Sequence, residues 1–313
     1  MTPTNTQTLT SEDDPLRAEF SNSRTVRYGL DRAFTIATWF ATLMALIVLA
    51  TLLIDIAIDG IPRLNWAFLT SFPSRRPEQA GILSALVGSL WLLGLVICIA
   101  FPVGVGAGFF LEEFAGRSWL TGALEINISN LAGVSSIVYG LFGLQMFVRL
   151  LQPITGGRTV LVGGLTLSLL VLPVIIVATC ESIRAVPDGL REGGYALGIS
   201  HWQVSWGLVL PEAFPGILTG TILALSRATG EAASLLTIGA LAFIAFLPPF
   251  SLEGLYAPFT ALPIQTFNWV SRPQAAFHTN AAAAIVVLMV VLLSMNGVAI
   301  YLRDRFQRHK ASD

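Results

Sequence analysis

Two side chains of opposite charge interrupt the longest apolar stretch of the sequence, residues 213–247. Arg227 and Glu231 lie in the segment ALSRATGEAASLL, where Ser226 and Thr229 add hydroxyl groups beside them. A guanidinium stays charged at physiological pH and presents a planar fork of N–H donors, which suits an oxyanion. These four side chains therefore indicate anion binding rather than covalent chemistry.

The position of Arg227 follows from the prolines that bracket the stretch. If one helix runs from Pro211 to Pro248, Arg227 lies about 24 Å from the first proline and about 32 Å from the second, near the middle of a bilayer. An arginine at that depth costs about 2.5 to 3.5 kcal/mol and almost always faces a protein interior or a wet cavity. Glu231, four residues further on, would share its helical face.

Two interpretations of this pair are open. In the first, Arg227 and Glu231 neutralise each other or pair with another helix, and so lock the bundle. In the second, Arg227 faces a translocation pathway and binds the anion, while Glu231 holds the guanidinium and weakens its grip so that the anion is released. Asn130, at the start of another apolar segment, suits either a bond to a neighbouring helix or a place in the pathway. We expect the substrate pathway to include Arg227, Glu231, Ser226, Thr229 and Asn130.

Other chemistries lack the residues that they need. No G-x4-G-K-[ST] phosphate loop occurs, so ATP hydrolysis requires another chain. The three histidines, His201, His278 and His309, are scattered over loops and tail and do not form a metal site. An intramembrane hydrolase would need a nucleophile, a histidine and an aspartate at one depth, and no such set occurs. For Glu112 and Glu113, solvated surface charges are the default and a role in coupling is the alternative.

Composition places these residues in a membrane protein. Of the 313 residues, 54% are hydrophobic and 12% are charged, whereas soluble domains have about 25% charged residues. The net charge of −1 gives no basic excess that would favour nucleic acid as a partner. Cys98 and Cys180 lie in apolar runs, without the spacing of a metal site or a disulfide framework, and are expected to serve packing.

Six apolar runs are long enough to cross a bilayer, which takes about 20 residues in a helix. Lipid offers no partner for backbone groups, and the runs lack the two-residue alternation of barrel strands. We therefore expect an all-α polytopic membrane protein with six transmembrane helices. The runs are roughly 33–56, 81–111, 126–148, 159–180, 213–247 and 280–302.

Basic residues in the loops favour an orientation with both termini in the cytoplasm. Eleven then lie inside: Arg17, Arg24, Arg27, Arg32, Arg117, Arg184, Arg191, Arg303, Arg305, Arg308 and Lys310. Six lie outside: Arg63, Arg75, Arg76, Arg149, Arg158 and Arg272. We divide the chain into a cytoplasmic N-terminal segment, 1–32, without a removable signal peptide, a transmembrane domain, 33–302, and a cytoplasmic tail, 303–313.

The long inner loop, residues 181–212, has the pattern of short helices. Pro187, Gly198 and Pro211 are residues that end helices. The expected helical pieces are Ser182–Val186, Leu190–Leu197 and His201–Val209. A helix–Gly–helix element outside the bilayer has no lipid to cover its apolar face. It therefore needs a protein partner, unless it merely connects two spanning helices.

The spacing within this loop resembles the EAA loop of ABC-importer permeases, E-A-A-x3-G-x9-I-x-L-P. Glycines replace both alanines and a leucine replaces the isoleucine. The matching positions are Glu192, Gly193, Gly194, Gly198, Leu208, Leu210 and Pro211. In that family the loop supplies a coupling helix that docks into a cleft on a separate ATP-hydrolysing subunit. Each glycine costs about 1 kcal/mol in a helix interior, so a less regular helix is expected.

Longer segments resemble the phosphate-specific permeases of the Pst system, nearest to PstA-type subunits. They are FFLEEFAG, NISNLAGVSSIVYGLFGL, LPVIIVATCESIRAVPDGLREGGYALG, LPEAFPGILTGTILALSRATGEAASLLTIGA and ALPIQTFNWVSRPQAAF, between about residues 109 and 277. In those permeases the Arg and Glu of an SRAxGE segment, here Arg227 and Glu231, are thought to be functional. The chain departs from the family at Ser135, where proline is common, and at Gly230–Ser234, where GETAP is common.

This resemblance implies a type I ABC-importer (MetI-like) permease fold in the cell inner membrane and inward transport of inorganic phosphate. The implied partners are a PstC-like second permease, a PstB-like ATPase dimer and a PstS-like phosphate-binding protein. The chain would hold no cofactor, because the ATPase binds ATP and Mg. The alternatives are a PstC-like role, a permease for sulfate or molybdate, and a carrier or channel that acts alone, which would leave the EAA-like loop without a purpose.

Overall fold

The computed structural model describes residues 15–116 and 118–310 and, within them, the side chains of residues 28 and 30–305. Several predictions concern residues beyond this description. Residues 1–14 of the predicted N-terminal segment and 311–313 of the predicted tail lie outside the described residues, as does Arg117. The same holds for the side chains of Arg17, Arg24, Arg27, Arg308, His309 and Lys310.

The described residues form helices and no β-strand. The helices are α1 (Pro15–Gly60), α2 (Trp66–Thr70), α3 (Leu83–Phe109), α4 (Trp119–Ala132), α5 (Ser136–Gly143), α6 (Gln152–Thr155), α7 (Val160–Arg184), α8 (Asp188–Ala196), α9 (His201–Val204), α10 (Leu210–Thr229), α11 (Ala233–Ile238), α12 (Leu262–Val270) and α13 (Ala275–Lys310). π-Helical segments continue α3 (Phe110–Phe114), continue α5 (Leu144–Leu150) and join α9 to α10 (Ser205–Val209).

Five helical segments of the described chain are long and apolar enough to cross a membrane. They are Leu30–Arg63, Leu83–Phe114, Val160–Arg184, His201–Thr229 and Ala275–Arg305. A sixth span results if Trp119–Ala132 and Ser136–Leu150, which meet at a bend of 99°, form one crossing. The predicted all-α fold with six transmembrane helices is therefore confirmed in the length and composition of its helices.

The chain divides into two compact units, residues 1–55 and 56–313. In the first unit, the described residues form most of α1, and apolar side chains such as Phe34, Trp39 and Phe40 are exposed along it. A surface of this kind suits lipid or another apolar partner. The second unit contains the helices from α2 onward, with its own hydrophobic core.

The core of the second unit is centred on α7. This helix is the most buried of the candidate spans, and its residues Val171 and Ile175 are inaccessible to solvent. Around them lie side chains of α3, such as Val96, and of α10, such as Ala224. Because lipid is as apolar as these side chains, close packing rather than the hydrophobic effect must hold the helices together.

Glycines permit this close packing. A Cβ atom added at Gly104 of α3 would lie 2.7 Å from Ile175 Cγ2, and one at Gly108 would lie 2.7 Å from Thr179 Cβ. Both glycines belong to the small-residue segment FPVGVGAG, so its small residues serve helix packing. Cys180 is buried beside Gly108 and donates to its carbonyl oxygen, whereas Cys98 is exposed on α3. The packing role predicted for the cysteines is confirmed for Cys180 and wrong for Cys98.

The predicted fifth segment, residues 213–247, is wrong at both ends. Its helix begins earlier, at His201, and ends at Thr229. Gly230 caps the end, with its N–H directed at the carbonyl oxygen of Ser226, and the short helix α11 follows after a break. The apolar sequence continues beyond the end of this helix. Hydrophobicity alone therefore did not predict the end, which a glycine determines.

Pro211 also fails to break the chain where the sequence predicts. It is the second residue of α10, directly after the π-helical segment Ser205–Val209. A proline in the first helical turn lacks only an N–H that would have no regular α-helical partner, and the wider π turn accommodates its ring. The predicted short helix Ser182–Val186 is likewise the last turn of α7, which ends at Arg184.

Gly104→Ala tests the packing of α3 on α7. The added methyl group would force Ile175 aside, so we expect a destabilisation of about 1–3 kcal/mol and a lower Tm. The measurement is thermal unfolding of the detergent-solubilised chain. Gly106→Ala is the matched control, since Gly106 is exposed on the same helix with nothing within 4 Å of an added Cβ, and its Tm should not fall. Equal Tm values for the two variants would contradict the packing.

Candidate functional site

Arg227 lies in the last turn of α10 and its side chain is exposed. A cation at the C-terminal end of a helix is favoured by the helix dipole. Within the described part of the chain, Arg227 forms no ion pair and no side-chain hydrogen bond. The guanidinium is therefore presented at the surface of this chain with its donors available.

Glu231 does not share a helical face with Arg227. It lies in the break between α10 and α11, and its Oε1 atom accepts the N–H groups of Ala233 (3.0 Å) and Ser234 (3.4 Å). The carboxylate thus satisfies the free N–H groups at the start of α11. The expected i, i+4 arrangement is wrong because the helix ends at Thr229, and the mutual neutralisation of the two charges is absent from the described residues.

The two hydroxyl groups beside Arg227 contact α13. Ser226 Oγ donates to Asn296 Oδ1 at 2.8 Å, and Thr229 Oγ1 donates to Leu225 O at 2.9 Å and lies 3.9 Å from Met295 Sδ. They hold α10 on α13, so the structure does not group them with the guanidinium. The sequence interpretation missed Asn296, although an amide in an otherwise apolar helix is a recognisable signal.

The surroundings of Arg227 include the bend between α4 and α5. The buried Tyr139 of α5 interacts electrostatically with Arg227. The Tyr139 hydroxyl donates to Leu131 O at 2.8 Å across the bend. A Cβ at Gly140 would overlap Thr237 Oγ1 and lie 2.8 Å from Ser234 Cα, so α5 packs closely on α11. The bend, the end of α10 and the start of α11 therefore meet at one place. Tyr139 has no signal in the sequence, since only the fold brings it here.

Asn130 lies three residues before the bend, near the end of α4. Its side chain is exposed and forms no hydrogen bond within the described residues. The first possibility, a bond to a neighbouring helix, therefore has no partner in that part of the chain. Asn130 is an available amide at the surface, on the helix that leads into the Arg227 region.

The EAA-like loop folds as two arms around Gly198. Helix α8 ends at Ala196, and Gly198 adopts the left-handed conformation (φ +74°) that L side chains disfavour. Ser200 and Gln203 then form a capping box that starts α9. The predicted helical piece before Gly198 is thus confirmed, and so is the predicted start at His201, whereas the second piece continues past Val209. The expected irregularity at Gly193 and Gly194 is wrong, because α8 runs through both.

One face of this loop is buried and the other is exposed. Gly194 is buried between the arms, where an added Cβ would lie 2.7 Å from Val204 Cγ2 and 3.2 Å from Leu208 Cδ1. Leu208 and Leu210 pack against a cluster that includes Val204 and Ile183. The exposed residues include Glu192, Gly193, Gly198 and Pro211.

Large apolar side chains lie on the exposed face of the loop. Leu197 is 80% exposed, and Trp202 and Trp206 are 58% and 55% exposed. The two indole rings stack at 5.6 Å with an angle of 10° between their planes. Aromatic side chains held rigidly at a surface lose little entropy when another protein covers them.

Glu112 and Glu113 both form ion pairs, but only Glu113 is withdrawn from solvent. Arg184 donates to both carboxylate oxygens of Glu112, at 3.2 and 2.9 Å, and the Glu113 side chain is only 4% exposed and paired with Arg191. The default expectation, a solvated surface charge, is therefore wrong for Glu113, whereas Glu112 stays partly exposed beside the half-exposed Arg184. Among the described residues, no group of three His, Cys, Asp or Glu side chains is arranged to hold a metal ion.

Comparisons with known proteins agree with this architecture. A family model described as binding-protein-dependent transport system inner membrane component matches residues 100–308. A probable ABC transporter permease protein, YqgI of Bacillus subtilis, is 35% identical over 77% of this chain and 84% of its own length. The phosphate transport system permease protein PstA of Haemophilus influenzae is 30% identical over 87% of this chain and 92% of its own. PstA 1 of Mycobacterium tuberculosis is 29% identical over 93% and 94%.

Solved structures share the fold at low identity. A bacterial ABC transporter involved in the import of alginate has a chain that is 15% identical, with a TM-score of 0.57 over 93% of this chain and 99% of that one. The MetNI methionine ABC transporter in an inward-facing conformation gives 17% identity and a TM-score of 0.51 over 72% and 94%. These likenesses confirm the predicted MetI-like fold.

Alanine substitutions at Gly193 and Gly194 test the packing of the loop. Gly193→Ala adds helix propensity at an open position, so we expect amide hydrogen exchange in α8 to slow by about fivefold. Gly194→Ala adds the same propensity but forces Val204 and Leu208 aside, so its protection should fall below that of Gly193→Ala. Hydrogen exchange measured by mass spectrometry compares them, and equal protection would show that the arms are not in contact.

Proposed function

The chain belongs to the family of binding-protein-dependent transport system inner membrane components, and we propose that it is the permease subunit of an ATP-driven importer that carries inorganic phosphate across the inner membrane. It is a membrane permease and not an enzyme, and a separate chain hydrolyses ATP. Relatives named as PstA phosphate permeases, 29–30% identical over most of the chain, support phosphate as the substrate.

The observation that carries the proposal is the unpaired guanidinium of Arg227. A charged side chain within an apolar bundle is costly unless it meets a partner or water. Arg227 lies where α10 ends and the chain breaks, so a passing anion can approach its donors without displacing a carboxylate. Phosphate offers the oxygen geometry that accepts two parallel N–H bonds from such a fork.

The other pathway residues have supporting roles in this proposal. Glu231 fixes the turn after Arg227 by capping α11, and so sets the direction of the guanidinium. Ser226 and Thr229 hold α10 on α13 and thereby position the same turn. The available amide of Asn130 donates to the anion elsewhere along the route.

The EAA-like loop is the proposed contact with the ATPase. Glu192, Gly193, Gly198 and Pro211 would line the contact with the partner, joined by the exposed side chains of Leu197, Trp202 and Trp206. Gly194, Leu208 and Leu210 support it from the buried side, where they bring the two arms together.

The family implies an ATPase and a substrate-binding protein as partners. We propose that these are a PstB-like ATPase dimer and a PstS-like phosphate-binding protein, with a PstC-like permease as the second half of the pathway. ATP and Mg bind to the ATPase, and this chain needs no cofactor of its own. The loop and the ends of α3 and α7 share one end of the bundle, which would face the cytoplasm if the loop contacts the ATPase. The cytoplasmic position of both termini rests on the distribution of basic residues in the sequence.

Arg227→Gln tests the pathway role. In the assembled importer, reconstituted in vesicles with its ATPase and binding protein, we expect phosphate uptake to fall about ten- to a hundredfold, since charge-assisted hydrogen bonds are worth about 1.5–3 kcal/mol. Arg227→Lys keeps the charge but not the fork, so its uptake should be intermediate. Arg75→Gln removes an exposed arginine outside the spanning segments and serves as the control.

Unchanged uptake by Arg227→Gln, at a normal amount of complex, would rule out the pathway role. Competition by sulfate or molybdate in the same vesicles identifies the substrate. If either anion inhibits uptake as strongly as phosphate does, the proposed selectivity is wrong. Uptake by the chain alone without ATP would indicate an independent carrier instead.

A further inference from the structure

A buried ion pair connects the EAA-like loop to the end of α3. Glu113 belongs to the π-helical segment Phe110–Phe114, and its side chain is 4% exposed. Its Oε1 atom accepts from Nε (3.3 Å) and Nη2 (3.0 Å) of Arg191 in α8. Its Oε2 atom accepts from the hydroxyl of Ser205 at 2.6 Å. One carboxylate therefore binds both arms of the loop.

Arg191 uses its five N–H donors within this region. Besides its contacts with Glu113, Nη1 donates to Val186 O (2.8 Å) and to Asp188 Oδ1 (3.1 Å), and Nη2 donates to Ile183 O (3.0 Å). The carbonyl of Ile183 is one of the last of α7, and it also accepts from the N–H of Val186 at 3.2 Å. A lysine, with three donors on a single nitrogen, cannot satisfy this set of acceptors.

The network therefore joins four pieces of the chain: the end of α3, the end of α7, helix α8 and the start of the helix 201–229. The Glu113 side chain is 4% exposed and that of Arg191 is 17% exposed, although both line a pocket that also contains Glu112, Arg184 and Asp188. A carboxylate so far removed from water depends on its partner, since loss of either partner leaves a buried charge uncompensated. Breaking the pair between Glu113 and Arg191 is therefore costly, whereas an exposed ion pair contributes little to stability.

The helix that begins at this network ends at Thr229, two residues after Arg227. Ser205 and Arg227 lie on one continuous helical segment, His201–Thr229, and are separated by about 33 Å at 1.5 Å per residue. The contacts of Glu113 with Arg191 and with Ser205 thus connect α8 to the start of the helix that carries Arg227.

A second pair beside it lacks these connections. Glu112, the neighbour of Glu113 in the same π-helical segment, pairs with Arg184, whose side chain is 50% exposed. This pair links α3 to α7 and does not contact α8 or Ser205. It provides a carboxylate–guanidinium pair at the same end of the bundle without a bond to α8 or α9, and Arg184 also pairs with Glu181 and lies 3.8 Å from Glu125 of α4.

We propose that Glu113 and Arg191 are positioning residues that lock helix α8 to the spanning helices, so that movement of the ATPase against the loop reaches Arg227. The inference rests on the proposed function, in which the loop contacts the ATPase. Its consequence is that weakening the network separates ATP hydrolysis from transport, while a residue that only stabilises the fold lowers both together.

The test measures phosphate uptake and ATP hydrolysis in the same vesicles, with the complete importer. For Glu113→Gln and Arg191→Lys, we expect the number of anions transported per ATP hydrolysed to fall about fivefold or more, the lower end of typical coupling effects. The matched controls, Glu112→Gln and Arg184→Lys, should keep this ratio within about twofold of wild type. An unchanged ratio for Glu113→Gln, or an equal fall in the controls, would overturn the proposal.

Two milder variants keep the test decisive if Glu113→Gln does not assemble. Ser205→Ala removes only the hydroxyl that links the carboxylate to the helix 201–229, and Glu113→Asp retains the charge but shortens its reach. We expect both to lower the ratio less than Glu113→Gln would and more than the controls. A wild-type ratio in both would overturn the proposal.

The same vesicles separate this inference from the proposed function. The ratio is measured with whichever of phosphate, sulfate and molybdate the wild-type complex transports. If that anion is not phosphate, the proposed substrate is wrong. The positioning role is then still tested by the number of anions transported per ATP hydrolysed. If the wild-type complex transports none of the three, both proposals fail.

Discussion

A guanidinium needs acceptors for its five N–H donors, and the two central arginines of this structure meet that need in different ways. Arg191 meets it within the chain, where five N–H donors are matched by a carboxylate, a second carboxylate and two backbone carbonyls. Arg227 has no such partner in the described residues and lies at an exposed helix end. Arg191 is held by acceptors within the chain, as expected of a structural residue. The donors of Arg227 are free to bind a ligand, as expected of a binding residue.

The distance between these two arginines is bridged by helix continuity. A proline and a change from α to π geometry occur at 205–211, yet the segment from His201 to Thr229 remains one helix. The π-helical turn absorbs Pro211 at the point where Ser205 joins the Glu113 carboxylate. This irregularity therefore lies next to the network, and the rest of α10, which includes Pro215, packs on α7 and α13.

The fold followed from the sequence wherever hydrophobicity extends over a whole span. Six helical spans and the two arms around Gly198 were predictable, because apolar runs and a glycine after a helix are local signals. The end of α10 at Thr229 was not, since the apolar run continues past Gly230. The Glu113–Arg191 pair was also out of reach, because the two residues are 78 positions apart and no periodicity links them.

The assignment of Glu231 shows why the local pattern misled. Four residues separate it from Arg227, and in an unbroken helix that spacing would pair the charges. Once Gly230 ends α10, the carboxylate lies at the start of a second helix, whose free N–H groups attract it more directly. Because the Glu231 carboxylate binds the N–H groups at the start of α11, it does not pair with Arg227. The same break that removes the ion pair therefore leaves the guanidinium available, and an anion need not compete with a carboxylate to reach it.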